Sequence, residues 1–91
     1  MDNILQIKEK VRQFIINTSY ISTTEINDDT LIFEQGIMDS MGFMSLISFI
    51  EESYFLPIKD DELLETNFES IEAITNYIAH KIAYQKVGQL D

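Results

Sequence analysis

The sequence predicts an all-α domain, a four-helix bundle of three main helices and a short third helix with a long first loop. Apolar residues recur at three- and four-residue spacing along most of the chain, which is the helical period. Only three Gly and one Pro occur in 91 residues, too few for the many tight turns of a sandwich or barrel. Six Phe and four Tyr are enough to fill one small core. A chain this short buries roughly 60–65 % of its unfolded surface, which leaves no room for a second core.

The first helix is expected from about Asn3 to Asn17. Ile4, Ile7, Val11, Phe14 and Ile15 share one face, and Lys8, Arg12 and Gln13 the other. Asn17, Thr18 and Ser19 then end the pattern with residues that favour caps and turns. From Thr18 to Asp39 the chain is neither helical nor alternating. Its apolar anchors are Ile26, Leu31, Ile32 and Phe33, of which Leu31 and Phe33 are expected to pin it to the core. So long a connection in so small a domain tends to be functional.

The second helix should run from about Ser40 to Tyr54. Phe43, Leu46, Ile47, Ile50 and Tyr54 form its buried stripe, and Met41, Met44, Ser45, Ser48 and Glu52 lie opposite. Pro57 prevents its continuation. Asp60 to Leu64 reads as the short third helix, with acids at the positive end of the helix dipole. The fourth starts near Ser70 as N-cap, buries Ile71, Ile74, Ile78 and Ile82, and fades through Tyr84 to Gly88. Lys81 and Lys86 suit its C-terminal end. The resulting organisation is one domain over 1–85 and a mobile tail over 86–91.

Sixteen acids against six bases give a net charge of −10. The distribution is uneven: from Asp28 to Glu72 there are twelve acids and one base, Lys59, so that stretch carries −11 and the rest +1. Such a surface repels nucleic acid and anionic membrane and attracts basic partner surfaces, or serves simply as a solvated face that keeps a small protein soluble; charge alone does not choose between these. There is no cysteine, so disulfides, Cys-based metal sites and a cysteine nucleophile are excluded, and thiol chemistry would have to come from a cofactor. No basic region followed by an apolar run opens the chain, and no apolar stretch approaches the roughly 20 residues that span a bilayer. A cytoplasmic protein is expected.

Asp39-Ser40 stands directly before an amphipathic helix, where both residue types are favoured as N-caps. That ordinary role accounts for the pair by itself. Met38 and Met41 flank it, so there is no Gly-x-Ser-x-Gly elbow and no neighbouring base, and no hydrolytic nucleophile is expected. A serine at the positive end of a helix dipole does tolerate an attached phosphodiester. Met41 and Met44, if exposed, suit contact with several partners; if buried, they fill the core. His80 is expected to face solvent. Asp60-Asp61-Glu62 lacks the pattern of a calcium loop and is expected to cap the short helix, so no metal site is predicted.

The stretch from Leu31 to Ile82 resembles the phosphopantetheine-binding carrier proteins of fatty-acid, polyketide and non-ribosomal peptide pathways. Asp39-Ser40-Met41, after Leu31-Ile32-Phe33-Glu34-Gln35-Gly36, is similar to the family's Asp-Ser-Leu-type motif. Phe49-Ile50-Glu51-Glu52-Ser53-Tyr54 resembles the acidic, aromatic-terminated end of its second helix. Leu56-Pro57-Ile58 before Asp60-Asp61-Glu62 resembles its usual connection, and Asn67-Phe68-Glu69-Ser70-Ile71 the start of its last helix.

The resemblance implies an acyl-carrier-like bundle and a carrier without catalysis of its own. A phosphopantetheinyl transferase, using Mg²⁺ and coenzyme A, would attach 4′-phosphopantetheine to Ser40, with Asp39 supporting the transfer. The arm's thiol would hold acyl or aminoacyl cargo as a thioester. Met41, Met44, Ser45, Ser48, Glu51 and Glu52 would dock the transferase, a cargo-loading ligase or acyltransferase, and downstream pathway enzymes. The chain would act as a monomer.

Carriers of bulk fatty-acid synthesis usually place acids where Gly42 and Ser45 stand here, and commonly a Met at Ser48. Gly36 is also one residue further from the serine than usual. These departures look more like stand-alone specialised carriers, including D-alanyl and other aminoacyl carriers. The alternative, from a different class, is a small acidic helical adaptor that binds a partner without modification.

Overall fold

Asn3 starts the first helix reciprocally. Its side chain accepts from the Gln6 amide at 2.9 Å while the Gln6 side chain accepts from the Asn3 amide at 3.1 Å, so two otherwise orphaned donors are satisfied. The computed structural model describes residues 3–19 and 26–89, with side chains as far as Tyr84. The helices are α1 (Ile4–Thr18), α2 (Ser40–Tyr54), α3 (Glu65–Phe68) and α4 (Ile71–Gln89), with a 3-10 turn over Asp60–Glu62. Among the described residues there is no strand, and the all-α expectation holds. Among the described residues no helix is long and apolar enough to cross a membrane.

The helical stripes meet in one core. Ile7, Val11 and Ile15 of α1, Leu46 and Ile50 of α2, and Ile71, Ile74 and Ile78 of α4 are almost completely buried. Each contributes roughly 1.5–3 kcal/mol by leaving water. Chiefly α1 packs on α4, with α3 against α4 and α2 against α1. Phe43, expected in the buried stripe of α2, is only half-buried.

Two expectations about helix bounds are corrected. The third helix is not Asp60 to Leu64: the chain makes a 3-10 turn, becomes extended at Leu64 (φ −98°, ψ 137°) and turns helical only at Glu65. Leu63 and Leu64 are exposed, so a helix there would have had no face to bury, whereas α3 seats Phe68 with no exposed area. In the first loop the expected anchors Ile26 and Ile32 are deeply buried, Phe33 packs half-buried against the core, and Leu31 is half-buried as well. Ile37 and Met38 are deep anchors that the sequence did not single out. At the far end α4 stays helical through Gln89, beyond the expected fade; residues 90 and 91 of the expected tail lie outside the described residues. Its start is as predicted, with Ser70 Oγ accepting from the Ala73 amide at 3.1 Å.

The loop is held by polar ties as well as anchors. The Ile32 amide donates to Glu69 O at 2.9 Å, and the Glu72 amide donates to Asp28 O at 2.8 Å, so the loop clasps the first turn of α4. The Asp28 carboxylate accepts from Lys8 Nζ at 3.0 Å and from Arg12, which also donates to Ile26 O. The hydrogen bond from Lys8, with the charges of Lys8 and Arg12, holds the Asp28 carboxyl below its usual range against the opposing effect of burial. These ties aim the end of the loop at the start of α2.

Candidate attachment site at the start of α2

Two residues of the Asp39-Ser40 pair divide the work at the head of α2. Asp39 is the N-cap: its backbone is extended (φ −108°, ψ −168°) and its Oδ1 accepts from the Gly42 amide at 2.9 Å. Ser40 is the first helical residue and is exposed. The cap role that the sequence allowed for either residue therefore falls to Asp39.

The turn into this cap is built from the loop. Gly36 has φ +73° with open space around it, a left-handed conformation that favours glycine. It lets the Ile37 and Met38 amides both donate to Ile32 O, at 2.9 and 3.1 Å. Ile37 and Met38 are thereby drawn into the core, which leaves the next two residues at the surface.

A groove of about 540 Å³ opens beside Ser40, lined by Phe33, Asp39, Ser40, Phe43, Met44, Leu63 and Glu65. Its aromatic wall is continuous with the interior. Phe43 meets Phe33 and Phe68 edge-on, each at 5.6 Å between ring centroids, and Phe68 lies 4.9 Å from Tyr77. Burial, followed by the nearby charges of Glu62, Glu51 and Asp61, pushes the Tyr77 phenol up to about 12.

The face of α2 running away from Ser40 resolves the two readings of the methionines. Met41 is 75% and Met44 62% exposed, and neither fills the core. Ser45, Ser48, Glu51 and Glu52 are exposed with them. Met44, Ser45, Ser48 and Glu52 line a second groove of about 410 Å³ with Phe14 and Phe49, whose rings stack at 4.4 Å. Met41 and Glu51 do not line it; Glu51 accepts from the Ile58 amide at 3.1 Å and fastens the connection after α2.

Sequence reasoning missed Phe49 as the stacking partner of Phe14, and it missed Leu63 and Glu65 as walls of the groove beside Ser40. The helical period assigned Phe14 to the core face, and Phe49 falls off the stripe of α2. Among the described residues no group of three His, Cys, Asp or Glu could hold a metal ion, and His80 is exposed as expected.

An exposed hydroxyl at the positive end of a helix, beside an apolar groove, can carry an esterified phosphate. The comparisons with known proteins bear on that chemistry. A family model described as a phosphopantetheine attachment site matches residues 9–78, most of the chain. No curated protein matches the chain.

Proposed function

Because the chain belongs to the phosphopantetheine attachment family, a family of carrier proteins that bear 4′-phosphopantetheine covalently on a serine, we propose that Ser40 is that serine. Domains of this family are generally non-catalytic carriers that interact with a phosphopantetheinyl transferase and pathway enzymes.

The observation that carries the proposal is the position of Ser40 among the serines. Ser19 Oγ donates to Ile16 O at 3.4 Å and Ser70 Oγ accepts from Ala73, so both hydroxyls serve helix ends. Ser45, Ser48 and Ser53 lie inside α2, away from its N-terminal dipole. Ser22 is outside the described residues. Ser40 alone of the described serines combines exposure, a helix N-terminus and the groove lined by Phe33, Phe43 and Leu63. Asp39 holds the first turn of α2 in place and also borders that groove. When bound, the arm supplies the thiol that the cysteine-free chain lacks.

Partner enzymes dock on the exposed face formed by Met41, Met44, Ser45, Ser48, Glu51 and Glu52, with the acids attracting basic surfaces. Gly42 and Ser45, where bulk fatty-acid carriers usually place acids, favour a dedicated biosynthetic pathway over housekeeping fatty-acid synthesis. The cargo class is acyl or aminoacyl. The chain works as a cytoplasmic monomer of one domain.

Incubation with a promiscuous phosphopantetheinyl transferase, Mg²⁺ and coenzyme A, followed by intact mass, tests the assignment. The wild type should gain one phosphopantetheine and Ser40→Ala none. A wild type left unmodified, under conditions that modify a control carrier, would favour the unmodified adaptor instead.

A further inference from the structure

We propose that Gly42 and Met38 are positioning residues that set Ser40 for modification, through a close approach that only glycine allows; this rests on Ser40 being the attachment serine. A Cβ at residue 42 would lie closer than 3.0 Å to Met38 Cγ, and within 3.4 Å of its Sδ and 3.6 Å of Asp39 Oδ1. Real Cβ atoms do not come that near, so Gly42→Ala forces the neighbour to move.

Met38 cannot easily yield. It is 3% exposed, and the obstructing atom is near its backbone rather than at the free end of its side chain. Its amide is fixed to Ile32 O at 3.1 Å, and Ile32 is in turn fixed to Glu69 O. On the other side, the Gly42 amide is held by Asp39 Oδ1 at 2.9 Å. Ser40 therefore sits between two clamps, the cap bond and the Met38–Gly42 contact, both anchored outside α2. The contact also explains the missing acid: at residue 42 an Asp or Glu side chain would start inside Met38.

In the transfer, Ser40 Oγ attacks the phosphorus bearing the pantetheine of coenzyme A. The P–O bond to the adenosine half breaks, adenosine 3′,5′-bisphosphate leaves, and the hydroxyl proton passes to a base of the transferase. The reaction depends on where Ser40 Oγ stands once the docking face is seated. Displacements near 1 Å in such geometries lower rates by up to about 10²-fold. Ordinary contact requires a shift on the order of 1 Å, shared between Met38 and the head of α2, so the expected loss is on the order of tenfold.

The experiment measures transfer kinetics for wild type, Gly42→Ala, Met38→Ala and the double variant, each at a temperature where circular dichroism shows it folded. Gly42→Ala should lower kcat about tenfold with KM unchanged, because Met41, Met44, Glu51 and Glu52 still dock. Met38→Ala makes room for the added methyl, so the double variant should recover kcat and melt above Met38→Ala. Wild-type kcat for folded Gly42→Ala, or a double variant no faster than Gly42→Ala, would overturn the positioning role alone. Should Gly42→Ala fail to fold, the comparison of the double variant with Met38→Ala decides: a slower or less stable double variant overturns it. A wild type that is not modified would remove the Ser40 assignment itself, a distinct outcome.

Discussion

Glu62 and Lys81 bridge the 3-10 turn and the last helix, with Lys81 Nζ 3.0 Å from Glu62 Oε1. The same oxygen accepts from the Lys59 amide at 3.1 Å, and the Glu62 carbonyl accepts from Asn67 Nδ2 at 2.9 Å. One residue thus secures the turn, α3 and α4 together. Leu63, its neighbour, and Glu65 form one wall of the groove beside Ser40.

Removing this bridge should loosen that wall. The side chains of the pair are 24% and 18% exposed, so the interaction is less screened than a surface pair, and its loss should destabilise by about 1 kcal/mol. For a domain of this size that lowers Tm by roughly 4–8 °C. Thermal melts of Glu62→Gln and Lys81→Met check it, and unchanged melting in both would show that the bridge contributes nothing.

Acid should act through the same residue and through Asp28. Burial pushes the Glu62 carboxyl up, but the hydrogen bonds from Lys81 and Lys59 outweigh it and leave it below its usual value; Asp28 is also lowered. Both groups are therefore more acidic folded than unfolded. Their contribution is complete above the ordinary carboxylate range and is lost as pH falls through that range and on through their lowered folded values. Urea melts across that window should show a shallower decline for the Asp28→Asn, Glu62→Gln double variant than for wild type. Equal declines would assign the acid limb to other carboxylates.

The exposed methionine face predicts a separation of docking from stability. Met44 is largely in solvent, so Met44→Glu should leave Tm nearly unchanged. It should raise KM for the transferase by introducing charge into an apolar contact. A changed Tm with unchanged KM would return Met44 to a packing role.

Phe55 should be improvable. It ends α2 in the left-handed region (φ 53°) and is 84% exposed, so its ring buries little while its backbone is disfavoured. Phe55→Gly should stabilise by about 1 kcal/mol, as glycine does at this position past a helix. Differential scanning calorimetry would detect the rise, and a fall would mean that the ring packs in solution.

Much of this was legible in the sequence. The periods of α1, α2 and α4 each extend over several turns, and Ser70 marks a start by its capping chemistry. The four residues of α3 are too few to display a helical period, so Phe68 could not announce it. Ile37 and Met38 are buried because their amides turn back onto Ile32, which is itself tied to the distant Glu69, and no helical or alternating period marks such a turn. Asp39 and Ser40 were both legible as cap residues; which one caps depended on the direction in which the loop arrives.

That arrival has a consequence for timing. The turn presenting Ser40 is braced by Ile32 on Glu69 and by Asp28 on Glu72, pairings between distant parts of the chain that form only after a costly loop closure. A nascent or partly folded chain would hold the serine without holding its stance. With Ser40 as the proposed attachment serine, installing the arm would also be an inspection: a transferase that needs Ser40 in register would act on finished molecules and pass over those still folding.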